Sequence, residues 1–157
     1  MASKNILDLA AARADLTITL ASLASSVAGV GRQSTIVDNT ATKYTQVDVI
    51  LQVKTQATTA ASSVVSVYLI RDDGNASPKR TDAAGASDAG LTQLNAELIG
   101  TLTTGATTAA QTITGIFPVL SPGPKWGILV VNSTGTTLDT TAGNHYAGFV
   151  GHNRTVG

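Results

Sequence analysis

Cysteine is absent from this 157-residue sequence, charged residues are scarce, and Glu97 is the sole glutamate. Without cysteine the chain can form neither a disulfide framework nor a thiolate metal site. Charged residues make up 13% of the chain, against about 25% in typical soluble domains. The ten basic and ten acidic residues cancel. This balance argues against an acidic disordered chain and a basic nucleic-acid-binding protein, and it favours association with other proteins.

No segment has the pattern of a secretory signal or a membrane span. The apolar stretch after Lys4 is interrupted by Asp8, Arg13 and Asp15, charges that neither kind of segment carries at its centre. We therefore expect a soluble protein that is not exported through a cleaved signal and does not contact a membrane.

Strands are favoured over helices by the 24 threonines and the single glutamate, because threonine suits strands and glutamate is a common helix residue. The clearest strand is 46–54, and 64–71 follows it with apolar residues on both faces, which predicts a central position in a sheet. Alternate positions on these two strands predict a shared core of Val47, Val49, Leu51, Val53, Val65, Val67 and Leu69.

Further strands are predicted from alternation at 16–20, 35–37, 94–102, 111–119, 126–132 and 144–150. The segment from Leu16 to Leu20 also fits a helix face, and its β-branched residues favour the strand. The tally of about eight strands with short polar connections predicts a single antiparallel β-sandwich domain over residues 16–157. Eight strands suggest a jelly roll, although the pattern also fits other sandwich topologies.

The N-terminal segment, residues 1–15, is predicted to be a short helix or an extended arm. A helix of this length is marginal alone in water, so the segment either docks on a neighbouring subunit or folds back on its own sandwich. Its large apolar residues, Ile6, Leu7 and Leu9, are too few to bury one another. We take these three residues as the candidate partner-binding residues.

Residues 72–90 form the longest stretch without large apolar side chains and are predicted to be a loop. Long loops in compact domains are often functional or mobile, and we favour an exposed excursion over a binding lid. Its four aspartates, Asp72, Asp73, Asp82 and Asp88, lack the alternate-residue spacing of a calcium loop. A solvated loop is the preferred interpretation.

No catalytic residue, cofactor site or metal site is predicted. His145 and His152 are separated by seven residues, which places them on opposite faces of a continuous strand, and a third ligand such as Asp139 has no fixed distance from them. The sequence contains no nucleophile elbow and no phosphate-binding glycine loop. Trp126 precedes an apolar run, which favours a core or interface anchor over a sugar-stacking platform.

Two stretches, GRQSTIVDNTATKYTQVDVILQVKT from Gly31 and PKWGILVVNSTGTTLDTTAGNHYAGFVG from Pro124, resemble small virion structural proteins of tailed bacteriophages. The intervening VVSVYLIRDDG extends the likeness over most of the chain after residue 15. The resemblance implies a non-enzymatic β-sandwich subunit, of the capsid decoration or cement type, that binds the major capsid protein. It carries no active-site residues.

The resemblance further implies a homo-oligomer, a trimer or dimer, on the capsid surface of the virion after synthesis in the host cytoplasm. A tail, neck or fibre component would have the same composition. A carbohydrate-binding β-sandwich module is the alternative from a different class of protein.

Overall fold

Strands are the main regular element of the computed structural model, which describes residues 6–56, 59–106 and 109–156. Two short 3₁₀ turns lie at Thr81–Ala83 and Ala142–Asn144, and no helix within the described ranges is long and apolar enough to cross a membrane. The strands in chain order are β1 (Ile6–Ala10), β2 (Ala14–Asp15), β3 (Val30–Gln33), β4 (Val37–Asp38), β5 (Gln46–Lys54), β6 (Val64–Asp72), β7 (Ala89–Thr92), β8 (Glu97–Thr103), β9 (Thr112–Leu120), β10 (Lys125–Ser133) and β11 (Tyr146–Val156).

The strands form two packed antiparallel sheets, which confirms the predicted all-β sandwich. Sheet A has the order β1-β11-β5-β9, and β2 also pairs with β11. Sheet B has the order β7-β3-β10-β6-β8, and β4 also pairs with β10. The described ranges contain eleven strands instead of the predicted eight, mainly because short pieces such as β2, β3 and β7 have too few residues to show alternation. The jelly-roll topology stays a prediction.

The main core lies between the two sheets and contains all seven residues predicted from alternation on β5 and β6, each with 0% exposure. Trp126 is buried in the same core. Its ring meets the ring of Phe149 edge-on, with 5.0 Å between the centroids, an arrangement that aromatic pairs prefer. The structure thus confirms Trp126 as a core residue.

Residues 16–20 do not form the predicted strand, although Leu16 and Leu20 are buried. The N–H of Leu16 donates to Ala147 O on sheet A, while Thr17 O accepts from the N–H of Thr35 beside sheet B. The segment therefore crosses from one sheet to the other. An extended segment that crosses between sheets can bury every second residue, as a strand does, without forming the hydrogen-bond ladder of a strand.

The region from Gly29 to Val37 also differs from the prediction. No strand was predicted at β3, which contains Gly31, and the strand predicted at 35–37 is the two-residue β4. A Cβ at Gly31 would lie 2.2 Å from Val130 O, so glycine permits the close approach of β3 to β10.

A β-bulge in β8 changes the predicted alternation. Val67 pairs with Gly100 and Tyr68 pairs with Leu98, so Ile99 is an extra residue opposite β6. Such a bulge shifts the following side chains to the other face. Leu98, expected on the same face as Leu102, is 54% exposed, whereas Leu102 is buried.

The N-terminal segment forms edge strands over residues 6–10 and 14–15 instead of a helix, and residues 1–5 lie outside the described ranges. The backbone of β1 pairs with β11 from Ile6↔Val156 to Ala10↔His152. The pairing of β11 with β5 stops at His152↔Gln46. Beyond that point β1 and β11 continue as a two-stranded ribbon.

Candidate interaction surface

The outer face of sheet A carries apolar residues that are exposed or only half-buried. The registers of β11, β5 and β9 place Gly148, Ile50 and Ile116 in one row across the sheet, and the next row contains Val150, Asp48 and Pro118. Ile116 is 62% exposed, and Leu120, farther along β9, is 69% exposed. We call the set Ile50, Ile116, Pro118, Leu120 and Val150 the open face.

The outer face of sheet B is covered over β6 and β10, in contrast to the open face. Ile70, Leu129 and Val131 on this side form a second buried cluster with Ala84, which comes from the segment 72–90. Ile36, Tyr68 and Leu91 pack against the cluster. This cover explains why β6 and β10 are apolar on both faces, as the sequence predicted.

Most residues of the segment 72–90 are exposed, as predicted, but part of the segment covers sheet B through Ala84. Buried Gln33 holds it, because its side-chain Nε2 donates to Gly85 O and Ser87 O while its Oε1 accepts from the N–H of Gly85. The ion pair between Arg80 Nε and Asp72 Oδ2, at 2.6 Å, closes the start of the segment. The sequence did not predict this contact with sheet B, because it is made by an alanine and by hydrogen bonds to the backbone and not by large apolar residues.

The four aspartates of this segment bind different protein groups. Asp72 pairs with Arg80, and Asp88 pairs with Arg32. Asp82 accepts the backbone N–H groups of residues 94–96; burial opposes ionisation, but these bonds outweigh it and lower the pKa of Asp82. Asp73 accepts from Asn75 and Lys79. Among the described residues, no three or more histidine and acidic side chains lie together in a position to bind a metal ion.

The two histidines lie at separate places. The ring of His145 is 2.9 Å from Asp139 O, and its Nδ1 accepts the N–H of Lys54. His152 pairs with Asp48, with 3.0 Å from Nε2 to Oδ2. The carboxylate of Asp139 accepts from the N–H of Thr141 and from Asn144 Nδ2, and these bonds lower the pKa of Asp139 to about 2.

Few charged side chains lie within or beside the open face. The Asp48–His152 pair lies beside Val150 and Pro118. At the margin, the Arg13 guanidinium lies 4.5 Å from the centroid of the Tyr146 ring. With few charged groups, this surface can contact another protein at little cost of desolvating charge.

A cavity of about 460 Å³ opens at the end of the sandwich where the β4–β5 loop meets the β9–β10 loop. The ring of Tyr44 borders it and packs over Gly151. The lining residues are Asn39, Thr40, Lys43, Tyr44, Thr45, Ser121, Gly123 and Pro124. Two of them, Lys43 and Ser121, have positive φ values of 52° and 49°, a strained backbone conformation that recurs at binding sites.

The residues predicted to bind a partner, Ile6, Leu7 and Leu9, lie on β1, and their side chains fall outside the described part of the chain. The backbone of β1 pairs with β11 of the same chain. Sequence reasoning missed the open face. Its signal was the apolar Ile50 among the polar residues Asp48, Gln52 and Lys54 on the wet side of β5, but the neighbours of Ile50 depend on register.

Comparisons with protein-family models, with curated proteins and with solved structures found no match to this chain.

Proposed function

We propose that this protein is a non-enzymatic structural subunit of a tailed-phage virion, of the capsid decoration type, that binds the major capsid protein through the open face of sheet A. The observation that carries the proposal is the asymmetry of the sandwich. Sheet B is covered in part by Ala84 of the chain's own segment 72–90, whereas Ile116 and Leu120 on sheet A are largely exposed and Ile50 and Val150 are only half-buried.

Burial of the open face supplies the driving force in this proposal. Fully burying a leucine- or isoleucine-sized side chain contributes roughly 1.5–3 kcal/mol, so Ile116 and Leu120, both largely exposed, are expected to contribute most. The low charge of the chain suits a subunit crowded at high local concentration on a particle. We further propose that the protein acts at the capsid surface as a homo-oligomer, without a cofactor and without binding nucleic acid or membrane.

The N-terminal segment is proposed as a second part of the contact. The ribbon of β1 and β11 continues beyond the last residue paired to β5, so its backbone extends past the body of sheet A. In this proposal Ile6, Leu7 and Leu9 reach a neighbouring subunit from the ribbon.

The test is a cryo-electron microscopy reconstruction of the intact particle together with particles made without this chain. We expect density for the sandwich on the outside of the capsid, with sheet A towards the major capsid protein, and loss of that density when the chain is omitted. Density on the tail or neck, or sheet B facing the capsid, would contradict the proposal.

A carbohydrate-binding module is the second candidate, and the cavity beside Tyr44 is the observation that favours it. An aromatic ring next to hydroxyl and amide groups is the usual composition of a sugar site. Trp126 cannot serve as the platform because it is buried. Glycan-array binding that is lost in Lys43→Asn, a residue type that tolerates positive φ, would favour this candidate, and an array without binding would exclude the sugars tested.

A further inference from the structure

β9 is the outermost strand of sheet A next to β5, and its nine residues, TITGIFPVL, contain no charge. An edge strand presents a row of unpaired backbone groups that can pair with another strand. Ile116 and Leu120 on this strand are largely exposed. β9 thus combines a free backbone edge with apolar side chains.

The hydrogen bonds at the two ends of β9 show which backbone groups are free. The N–H of Thr55 donates to Gln111 O at 2.9 Å, and the N–H of Ser121 donates to Thr45 O at 2.8 Å. The register between these bonds has no shift, and bonded pairs in an antiparallel ladder recur at every second residue. Odd-numbered residues of β9 therefore bond to β5, and the even-numbered ones direct their backbone groups away from the sheet.

Proline occupies one of these even positions, residue 118, and consequently interrupts the free row of N–H groups without disturbing the ladder to β5. Proline in sheets is confined to such edge positions. The N–H groups of Thr112, Thr114 and Ile116 remain on the free side, and within the described ranges no hydrogen bond to them from that side is found.

The other sheet edges carry devices that discourage pairing, namely short length, bulges and charge. β7 has four residues, β8 contains the bulge at Ile99 and the charged Glu97, and β1 contains Asp8. β9 is the long edge whose residues are all uncharged, and Pro118 interrupts it near one end.

We propose that β9 pairs antiparallel with β9 of a second copy of this chain, about a twofold axis at Thr114. This register sets Thr112 opposite Ile116 of the second copy, so each free N–H from residue 112 to residue 116 meets a carbonyl group. An axis at Ile116 would instead set Pro118 opposite Thr114, and a carbonyl would lack its donor. Pro118 therefore disfavours the registers centred between Thr114 and the C-terminal end of β9, and the axis at Thr114 gives the longest pairing that remains.

A second copy fits this edge because two identical uncharged strands meet without like-charge repulsion, and a twofold contact is closed and does not propagate into fibres. The pairing joins the two copies of sheet A into one continuous sheet and places their open faces side by side. It does not depend on the proposed capsid role, because it concerns only the isolated protein.

The experiment is analytical ultracentrifugation of the purified full chain over a range of concentrations. We expect the mass to rise from 15.9 kDa towards twice that value. Thr114→Pro removes a free-side N–H while leaving the bonds to β5, as Pro118 already does, and is expected to stay monomeric. Thr101→Lys on β8, also exposed, is the matched control and should dimerise like the wild type.

Charge pairing at residue 114 tests the register itself. Thr114→Lys and Thr114→Glu each place like charges opposite each other across the axis, so each alone should be monomeric at concentrations where the wild type is dimeric. An equimolar mixture should recover the dimer, because the unlike charges then face each other. A wild type that stays monomeric through the millimolar range, variants that dimerise like the wild type, or a mixture that stays monomeric would overturn the proposal.

Discussion

Replacement of Asn132 by alanine should destabilise the sandwich strongly, because this fully buried amide uses all of its hydrogen-bonding capacity. Its Nδ2 donates to Leu23 O at 3.0 Å and to Thr136 O at 2.8 Å. Its Oδ1 accepts from the N–H of Thr134 at 3.1 Å and from Thr134 Oγ1 at 2.8 Å. One side chain thus joins the segment after residue 20 to the turn that follows β10.

The size of the effect depends on which groups keep a partner in Asn132→Ala. Leu23 O still accepts from the N–H of Leu138, and Thr136 O can take the Thr134 Oγ1 proton, which in the wild type is shared with Asn132 Oδ1. The N–H of Thr134 loses the bond to Asn132 and is buried, a situation that costs about 1–3 kcal/mol. With about 1 kcal/mol for the weakened neighbours, we expect a loss of about 3 kcal/mol. For a domain of this size the midpoint of thermal unfolding should fall by about 6–12 °C.

Asn132→Asp separates the hydrogen-bond argument from the loss of volume. The carboxylate still accepts from Thr134, but it faces Leu23 O and Thr136 O without a proton to donate. Burial and these carbonyl groups raise the pKa of the introduced carboxyl above its unfolded value of about 3.9. Its protonated form therefore fits the folded state, and the deficit relative to the wild type should grow as the pH rises from about 4 to 7.

Urea unfolding at several pH values, followed by the fluorescence of the single tryptophan, Trp126, measures both variants. A change below about 0.5 kcal/mol in Asn132→Ala, a size typical of surface substitutions, would refute the reasoning. A deficit in Asn132→Asp that is independent of pH would refute it as well.

Three further predictions concern stability. Asp139→Ala should lower the thermal midpoint at pH 7. The difference from the wild type should shrink between about pH 4 and pH 2, because a carboxyl with a folded pKa of about 2 stabilises the fold only while it is ionised. Calorimetry across this pH range measures the difference. Gly31→Ala should destabilise by several kcal/mol through contact with the backbone of β10, whereas Gly90→Ala, with no atom within 4 Å of the added Cβ, should match the wild type in urea unfolding. Leu98→Ser should change the urea midpoint little and Leu102→Ser should lower it strongly; equal effects would contradict the bulge in β8.

The sequence pattern predicted the long strands that each belong to a single sheet. β5 was predicted with its observed bounds, and β6, β9 and β10 within one residue at each end, because the period of two in these strands reflects one face in the core. The prediction for residues 16–20 was wrong since buried alternation also occurs where an extended segment crosses between sheets. Alternation alone cannot distinguish a ladder from such a crossing.

The candidate surface was harder to predict than the core. Ile50, Ile116 and Val150 are distant in sequence and adjoin only through the registers of β5 with β9 and β11. The cover on sheet B was also hidden, because Ala84 and the bonds from Gln33 leave no apolar run in the segment 72–90. The local sequence pattern predicts where strands lie along the chain. The composition of a sheet surface depends on which distant strands pair and in which register.

The central claim, that the open face binds the particle, is tested most directly by co-sedimentation of Ile50→Lys with capsids that lack this chain. Ile50 lies on β5, the middle strand of the open face, and is half-buried on the wet side of that strand. Thr101→Lys on β8 carries the same added charge away from this face. We predict that Ile50→Lys keeps the wild-type fold by circular dichroism and loses capsid binding, while Thr101→Lys binds like the wild type. Wild-type binding by Ile50→Lys would contradict the account.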